Sequence, residues 1–223
     1  LDLSLLLSWR NTTGWFTNTD ASAEVHFRDD GSPEHNYAPA IGRTEGQCNR
    51  YVDEGELKGV LLEGNLSTPI AEGEGQWCIA TVEQPGVSIQ RCSRWNPAGD
   101  GSELWNSFSD DGSIPNSNND RRSGSDDPLS AALAVRCQLA PGEGIEIPVV
   151  ISWDLPVTAF ATGSQALRRY TDFFGIGGNQ AAAIAAEALR DWKQWRDQIH
   201  AWQQPVLQRS ELPEPLRMAL FIE

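Results

Sequence analysis

Carboxylates are the groups this chain supplies most freely for chemistry, with 31 Asp and Glu against 17 Lys and Arg. Acid–base hydrolysis needs two of them on opposite sides of one bond. Sequence order alone does not pair them. Most lie among Gly, Ser and Asn, where solvation is their plain role. Asp154 differs, because it follows Trp153 at the end of an alternating apolar run. It reads more readily as a helix cap or a loop anchor than as a catalyst.

The other reactive types form no set. His26 stands near Glu24, His35 near Glu34, and His200 alone. There is no His-x-x-x-His or His-Glu-x-x-His spacing to hold a metal. The Asp/Asn-rich stretch 109–128 lacks the alternating oxygens, sixth-position Gly and twelfth-position Glu of a calcium loop, and reads as a solvated loop. Cys48, Cys78, Cys92 and Cys137 fit no zinc spacing and read as free thiols. Asn11 and Asn65 begin Asn-x-Ser/Thr triplets, which are weak signals on their own. There is no nucleophile elbow, phosphate loop or dinucleotide fingerprint. Gly73-Glu74-Gly75 and Gly142-Glu143-Gly144 read as turns. The residues therefore define no catalytic, cofactor-binding or metal constellation. Nine tryptophans are many for 223 residues. Such rings can stack on sugars, but core or interface packing is their default use.

A net charge of −14 repels phosphate backbones, so no nucleic-acid partner is expected. No run approaches the ~20 apolar residues of a membrane span. The length permits one large domain, or one domain with an appendage.

The elements that would carry these residues are mainly β over 1–153. Leu1, Leu3, Leu5, Leu7 and Trp9 are apolar at every odd position, with Asp2, Ser4 and Ser8 between them, the period of a strand with one buried face. Residues 18–56 are polar and read as a long loop region with at most short strands. Strands are expected at 59–63, 76–82 and 87–92, with Pro85-Gly86 as a hairpin turn. Leu104, Trp105 and Phe108 share one face of a short helix. Ala131 to Leu139 and Ile145 to Trp153 alternate on either side of Pro141-Gly142-Glu143-Gly144, predicting an antiparallel hairpin. The fold class expected is an antiparallel β-sandwich, incomplete, followed by a long linker α-helix and the start of a helical domain. Asn179 caps a helix over about 180–204, which Pro205 should stop. Ala185, Ala188 or Leu189, Trp192, Trp195 or Arg196, Ile199 and Trp202 give that helix a narrow apolar stripe whose three tryptophans need a large partner, the sandwich on one face and a further domain on the other. The chain opens within a strand, and Met218 to Glu223 opens a helix, so a larger protein is expected around it.

A series of short motifs runs through the chain in order: Ser8-Trp9-Arg10-Asn11; Ser152-Trp153-Asp154-Leu155-Pro156; Tyr170-Thr171-Asp172-Phe173-Phe174-Gly175; Trp195, Ile199 and Trp202-Gln203-Gln204-Pro205; Leu212-Pro213 and Ala219-Leu220-Phe221-Ile222-Glu223. The series resembles glycoside hydrolase family 116, which includes the non-lysosomal glucosylceramidases (bile-acid β-glucosidases) and microbial β-glucosidases. The family usually has Arg where Asp172 stands and Asn where Ile222 stands.

The resemblance implies an N-terminal β-sandwich joined to a C-terminal (α/α)6 barrel. Both catalytic carboxylates of the family lie in the barrel, downstream of the motif containing Glu223. No catalytic residue is therefore carried onto this chain, and Glu223 matches a structural Glu of the barrel's entry helix. The implied division is sandwich over 1–156, linker over 157–211 and first barrel turns over 212–223. The implied partners are that barrel, in the same protein, and a β-glucoside bound mainly by it. The implied location is the cytoplasm, with contact to a membrane surface left open. Two other readings stand beside this one. A free-standing sugar-binding sandwich would use Trp77, Trp95 or Trp105 as a platform, and a purely structural module would bind no ligand.

Overall fold

The computed structural model describes residues 1–15, 24–36, 44–159 and 164–219, with the backbone alone for 24–27 and 33–36. In chain order the elements are β1 (Asp2–Arg10), β2 (Glu24–Phe27), β3 (Pro33–Asn36), β4 (Cys48–Glu54), β5 (Leu57–Glu63), β6 (Gln76–Val82) and β7 (Val87–Trp95). Then follow α1 (Ser102–Asp111), β8 (Ser130–Gln138), β9 (Val149–Asp154), β10 (Val157–Ala159), β11 (Gln165–Leu167), α2 (Thr171–Phe174), α3 (Ala181–Leu207) and α4 (Glu214–Ala219).

Two antiparallel sheets face each other, one ordered β1-β8-β7 and the other β4-β5-β6-β9, with β2-β3 and β10-β11 as separate hairpins. Leu7, Trp9, Ala131, Leu133 and Ile89 of the first sheet meet Val60, Leu62, Ile79, Trp77 and Ile151 of the second. The fold is mainly β, as the alternating runs predict, but each sheet is also covered outside. Leu104 and Phe108 of α1, with Ile114, close over Leu6, Cys92, Ala132 and Ala134. Ala181, Ala182, Ala185 and Leu189 of α3 close over Val52, Leu57, Leu61, Cys78 and Ala80. Small residues at those positions of β8 and α3 let helix and sheet approach closely, so β5, β6 and β8 are buried on both faces.

Several expectations need correction. The runs at 131–139 and 145–153 do not form a hairpin: β8 pairs with β1 and β7, whereas β9 pairs with β6. Alternation says that a strand has one buried face, not which strand lies beside it. The segment 139–148 instead crosses from one sheet to the other. Pro85-Gly86 is a turn, with Gly86 at φ 78°, but it too passes between sheets, because β6 and β7 do not pair. The polar region 18–56 contains β4, an edge strand whose buried residues include Asn49 as well as Cys48 and Val52. Residues 16–23 and 37–43 lie outside the described residues. Trp105 does not share the buried face of α1; it is 60% exposed beside Phe108.

The loop at 109–128 is less solvated than its composition implies. Ser117 N–H donates to the Arg91 carbonyl and Ser93 N–H to the Ser117 carbonyl, each at 3.0 Å. Asn116 Oδ1 accepts from Arg91 N–H at 3.0 Å, and Asn118 Oδ1 from Tyr51 N–H at 3.1 Å. Its Asn side chains thus satisfy the outer edges of β7 and β4 and seal one lateral side of the sandwich. Arg91 closes the same side. Its Nη1 donates to the Val52 carbonyl (3.2 Å), the Gly59 carbonyl (3.2 Å) and Asp53 Oδ1 (3.1 Å), with the guanidinium 4.1 Å from the Tyr51 ring. The Tyr51 hydroxyl returns a bond to the Arg91 carbonyl.

Candidate functional site

The residue that sequence singles out, Asp154, is the joint between the sandwich and the long helix. It ends β9, is fully buried, and holds two donors from later elements. Oδ1 accepts the Tyr170 hydroxyl at 2.8 Å and Oδ2 accepts the Gln180 backbone N–H at 2.8 Å. Gln180 is the N-cap of α3 and makes no side-chain cap of its own. The expected cap, Asn179, is exposed and instead accepts from the Gln180 side chain. Capping therefore comes from a carboxylate 26 residues earlier, which no local pattern reveals. The anion at a helix N-terminus also suits the helix dipole.

The Tyr170 phenol is pushed upward by burial first, then by its bond to Asp154. It stays a donor through the neutral range. Around this pair the motifs converge. Ser152 donates to the Ala181 carbonyl at 2.7 Å, and Thr171 donates to the Arg168 carbonyl at 2.6 Å. Gly75 presses against the turn after β9, at φ 148°, and a Cβ there would lie 1.9 Å from the Asp154 carbonyl oxygen. Only glycine fits that position. Glu74, read from sequence as part of a turn, is buried. Its Oε2 accepts from Ser67 N–H, Ser67 Oγ and Ala71 N–H, which shapes the loop next to the joint.

The helix leaving this joint divides into two halves. From Ala181 to Leu189 it lies on the outer face of the four-stranded sheet. Beyond that, Trp195 is 41% and Ile199 51% exposed, and Trp202 is also exposed. Phe173 and Ile176 near α2, and Leu216 and Met218 on α4, are exposed as well. An apolar cavity of about 490 Å³ between Pro69, Ile70, Val157, Leu167 and Ile176 lies beside the joint. A second of about 360 Å³ lies between Pro148, Val149, Leu189, Trp192 and Trp195. Pro205 does not stop α3, which continues to Leu207. The proline cannot bond back to Ala201, but only two helical residues follow it, so the helix ends within a turn of the break. Gln208 N–H then donates back to the Gln204 carbonyl.

The remaining candidates are dispersed. Cys48, Cys78, Cys92 and Cys137 are free thiols buried in four different strands. His26 and His35 sit on the paired strands β2 and β3, and His200 is exposed on α3. Asn11 is buried; its Nδ2 donates to Asn49 Oδ1 and the Glu63 carbonyl, and its Oδ1 accepts from Thr13. Asn65 is exposed, with Oδ1 accepting from Arg122. Among the described residues no three His, Cys, Asp or Glu side chains converge as a metal set would.

Trp77, partly buried, stands between Trp9 of the facing sheet and the half-exposed Trp153 of the neighbouring strand, with ring centroids 5.5 Å apart on each side, and Trp95 packs on the α1 side. These rings are tilted at 42° and 45° rather than coplanar, so they make a packed row and not a flat platform. The two Trp-containing motifs around Trp9 and Trp153 are thus linked through Trp77, and each is followed by a buried polar anchor, Asn11 or Asp154.

The family model described as beta-glucosidase 2, glycosyl-hydrolase family 116 N-term matches residues 1–195. That is most of the chain, and the chain belongs to this family. The matched region ends inside α3, six residues past Leu189, where the buried half of the helix gives way to its exposed half.

Proposed function

We propose that this chain is the non-catalytic N-terminal sandwich segment of a retaining β-glucosidase or glucosylceramidase-like enzyme, and that it carries an (α/α)6 catalytic barrel on α3 and α4. One observation carries the reading: α3 is anchored through Asp154 and buried over its first half, then presents Trp195 and Ile199 to solvent. Large apolar side chains held on a rigid, half-covered helix fit the core of an interface with a second domain. In this scheme residues 1–156 are sandwich, 157–211 linker and 212–223 the first barrel turns. Two barrel carboxylates do the chemistry. One attacks the anomeric carbon and the other protonates the leaving oxygen. The sandwich contributes position, and its loops shape the mouth of the site. Four unpaired thiols suit a reducing cytoplasm.

The test compares the chain alone with the whole reading frame on an aryl β-glucoside and on glucosylceramide. The chain alone should turn over neither. In the whole enzyme, Ile199→Asp should lower the yield of active, assembled protein. The assembled fraction should keep its turnover number. Hydrolysis by the isolated chain, abolished by changing one carboxylate within it, would overturn the proposal.

A further inference from the structure

Past its last buried residue α3 stays beside the sandwich, and the space between the two is a shaped groove. Trp192 and Trp195 follow Leu189 at spacings of three, so they continue the stripe by which Ala181, Ala185 and Leu189 sit on the sheet. They face Ile147, Pro148, Val149 and Val150 across the apolar cavity of about 360 Å³. That opposite wall belongs to the segment crossing from β8 to β9, and it is held from behind. Thr81 Oγ1 donates to the Pro148 carbonyl at 2.7 Å, and the Gln84 side chain donates to the Glu146 carbonyl at 3.3 Å. Glu146 bridges the rim, with Lys193 Nζ at 3.3 Å and Arg196 Nη1 at 3.6 Å. Two tryptophans and an apolar wall inside a charged rim are the make-up of an interface centre. Ile199 comes four residues after Trp195, on the same stripe. Whatever covers it therefore approaches from the sandwich side of the helix.

We propose that the crossing segment is the second wall of the contact with the catalytic barrel, and that the groove takes one bulky apolar side chain from that barrel. This rests on the barrel reading above. An apolar cavity of about 150 Å³ already takes a benzene ring, so this one has room for any aromatic side chain. Two observations favour the barrel over a second copy of this chain. The matching family model describes an N-terminal part, so the barrel is tethered to the groove at an effective concentration that a free copy does not reach. A second copy would also bring another net charge of −14 against this one. The barrel is then wedged between helix and sandwich, and Ile147 and Pro148 position it together with Trp192 and Trp195.

The test is thermal unfolding of the natural-length enzyme, with turnover of an aryl β-glucoside as the control. Ile147→Trp decides by sign. In an open groove the added ring lies against Trp192 and Trp195, and melting stays level or rises. In an occupied groove it overpacks, and the melting temperature should fall by roughly 2–10 °C with the turnover number of the folded enzyme unchanged. Ile147→Ala should lower it as well, because an occupied groove is sensitive to lost as well as added volume. A level or raised melting temperature for Ile147→Trp overturns the inference. If Ile199→Asp still lowers the yield of assembled enzyme in that case, the barrel reading stands without the groove; if it does not, both fall. A wild-type dimer that Ile147→Trp converts to monomer in sedimentation velocity gives the groove to a second copy and overturns the inference too.

Discussion

Replacing Asp154 by Ala should loosen the joint between sheet and helix more than any surface change can. The carboxylate is fully buried and accepts two hydrogen bonds at 2.8 Å, from the Tyr170 hydroxyl and the Gln180 N–H. Each bond to a charged partner is worth roughly 1.5–3 kcal/mol, so losing both costs about 3–5 kcal/mol once partial solvation of the orphaned donors is allowed for. With a urea slope of about 2–3 kcal/mol per molar for a domain of this size, the midpoint should fall by about 1.5 M. Tryptophan fluorescence reads the transition. Tyr170→Phe removes one of the two bonds and should cost about 1.5–3 kcal/mol alone. In the Asp154→Ala background it should cost almost nothing, because its acceptor is already gone, giving a coupling energy of about 1–3 kcal/mol. An Asp154→Ala midpoint within about 0.2 M of wild type, some tenths of a kcal/mol at that slope, would refute the assignment of Asp154 as the joint.

Three further outcomes are expected. Gly75→Ala should leave little soluble protein, since its Cβ would collide with the Asp154 carbonyl; normal yield and melting would show that the close approach is not required. Arg91→Ala should destabilise by about 2–4 kcal/mol, because it strips two backbone carbonyls and the Tyr51 ring of their partner. Asp53→Ala, at the exposed end of the same cluster, should cost under about 1 kcal/mol, and equal losses from the two in urea would contradict the clasp. Stability should also fall in alkali. Burial pushes both the Cys78 thiol and the Tyr51 phenol up to about 12, against 9.0 and 10.0 when unperturbed. The folded state holds these protons more tightly, so their contribution is complete below pH 9 and is lost as pH rises from 9 toward 12. A urea midpoint that stays level from pH 7 to 11 would contradict this.

The sequence makes the strands legible and their partners illegible. Leu133, Val135 and Cys137 announce a strand with one buried face, and Val149, Ile151 and Trp153 another. Yet the pairing of β8 with β1, and of β9 with β6, depends on contacts at least 68 residues apart in the chain. Alternation carries no information about such neighbours. The same limit hides the second buried faces: Ala132 and Ala134 look like filler until α1 is laid on them. At the joint, Asp154 stands out because a lone acid after an apolar strand needs a reason. Its partners, Tyr170 and the Gln180 N–H, belong to a motif 16 residues on and a backbone group 26 residues on. Asn179 is the better local cap by type, and tertiary structure overrides it. Glu74 and the Asn116–Asn118 segment are missed for a related reason. Their polar side chains look solvated by composition, but Glu74 satisfies backbone groups of its own loop and Asn116 and Asn118 those of distant strands.

The division of α3 into a packed and an unpacked half makes it a lever. From Leu189, its last buried residue, to Leu207 it runs roughly 27 Å, tied on the way by exposed ion pairs of Lys193 and Arg196 to Glu146. A tilt of about 5° at the packed end would displace Leu207 by roughly 2 Å over that length. A change near Asp154 too mild to unfold the sandwich can therefore misplace whatever rests on the far end by more than half a bond-contact distance. Such variants would melt normally and still fail, with the fault measured in angle at one end and in ångströms at the other.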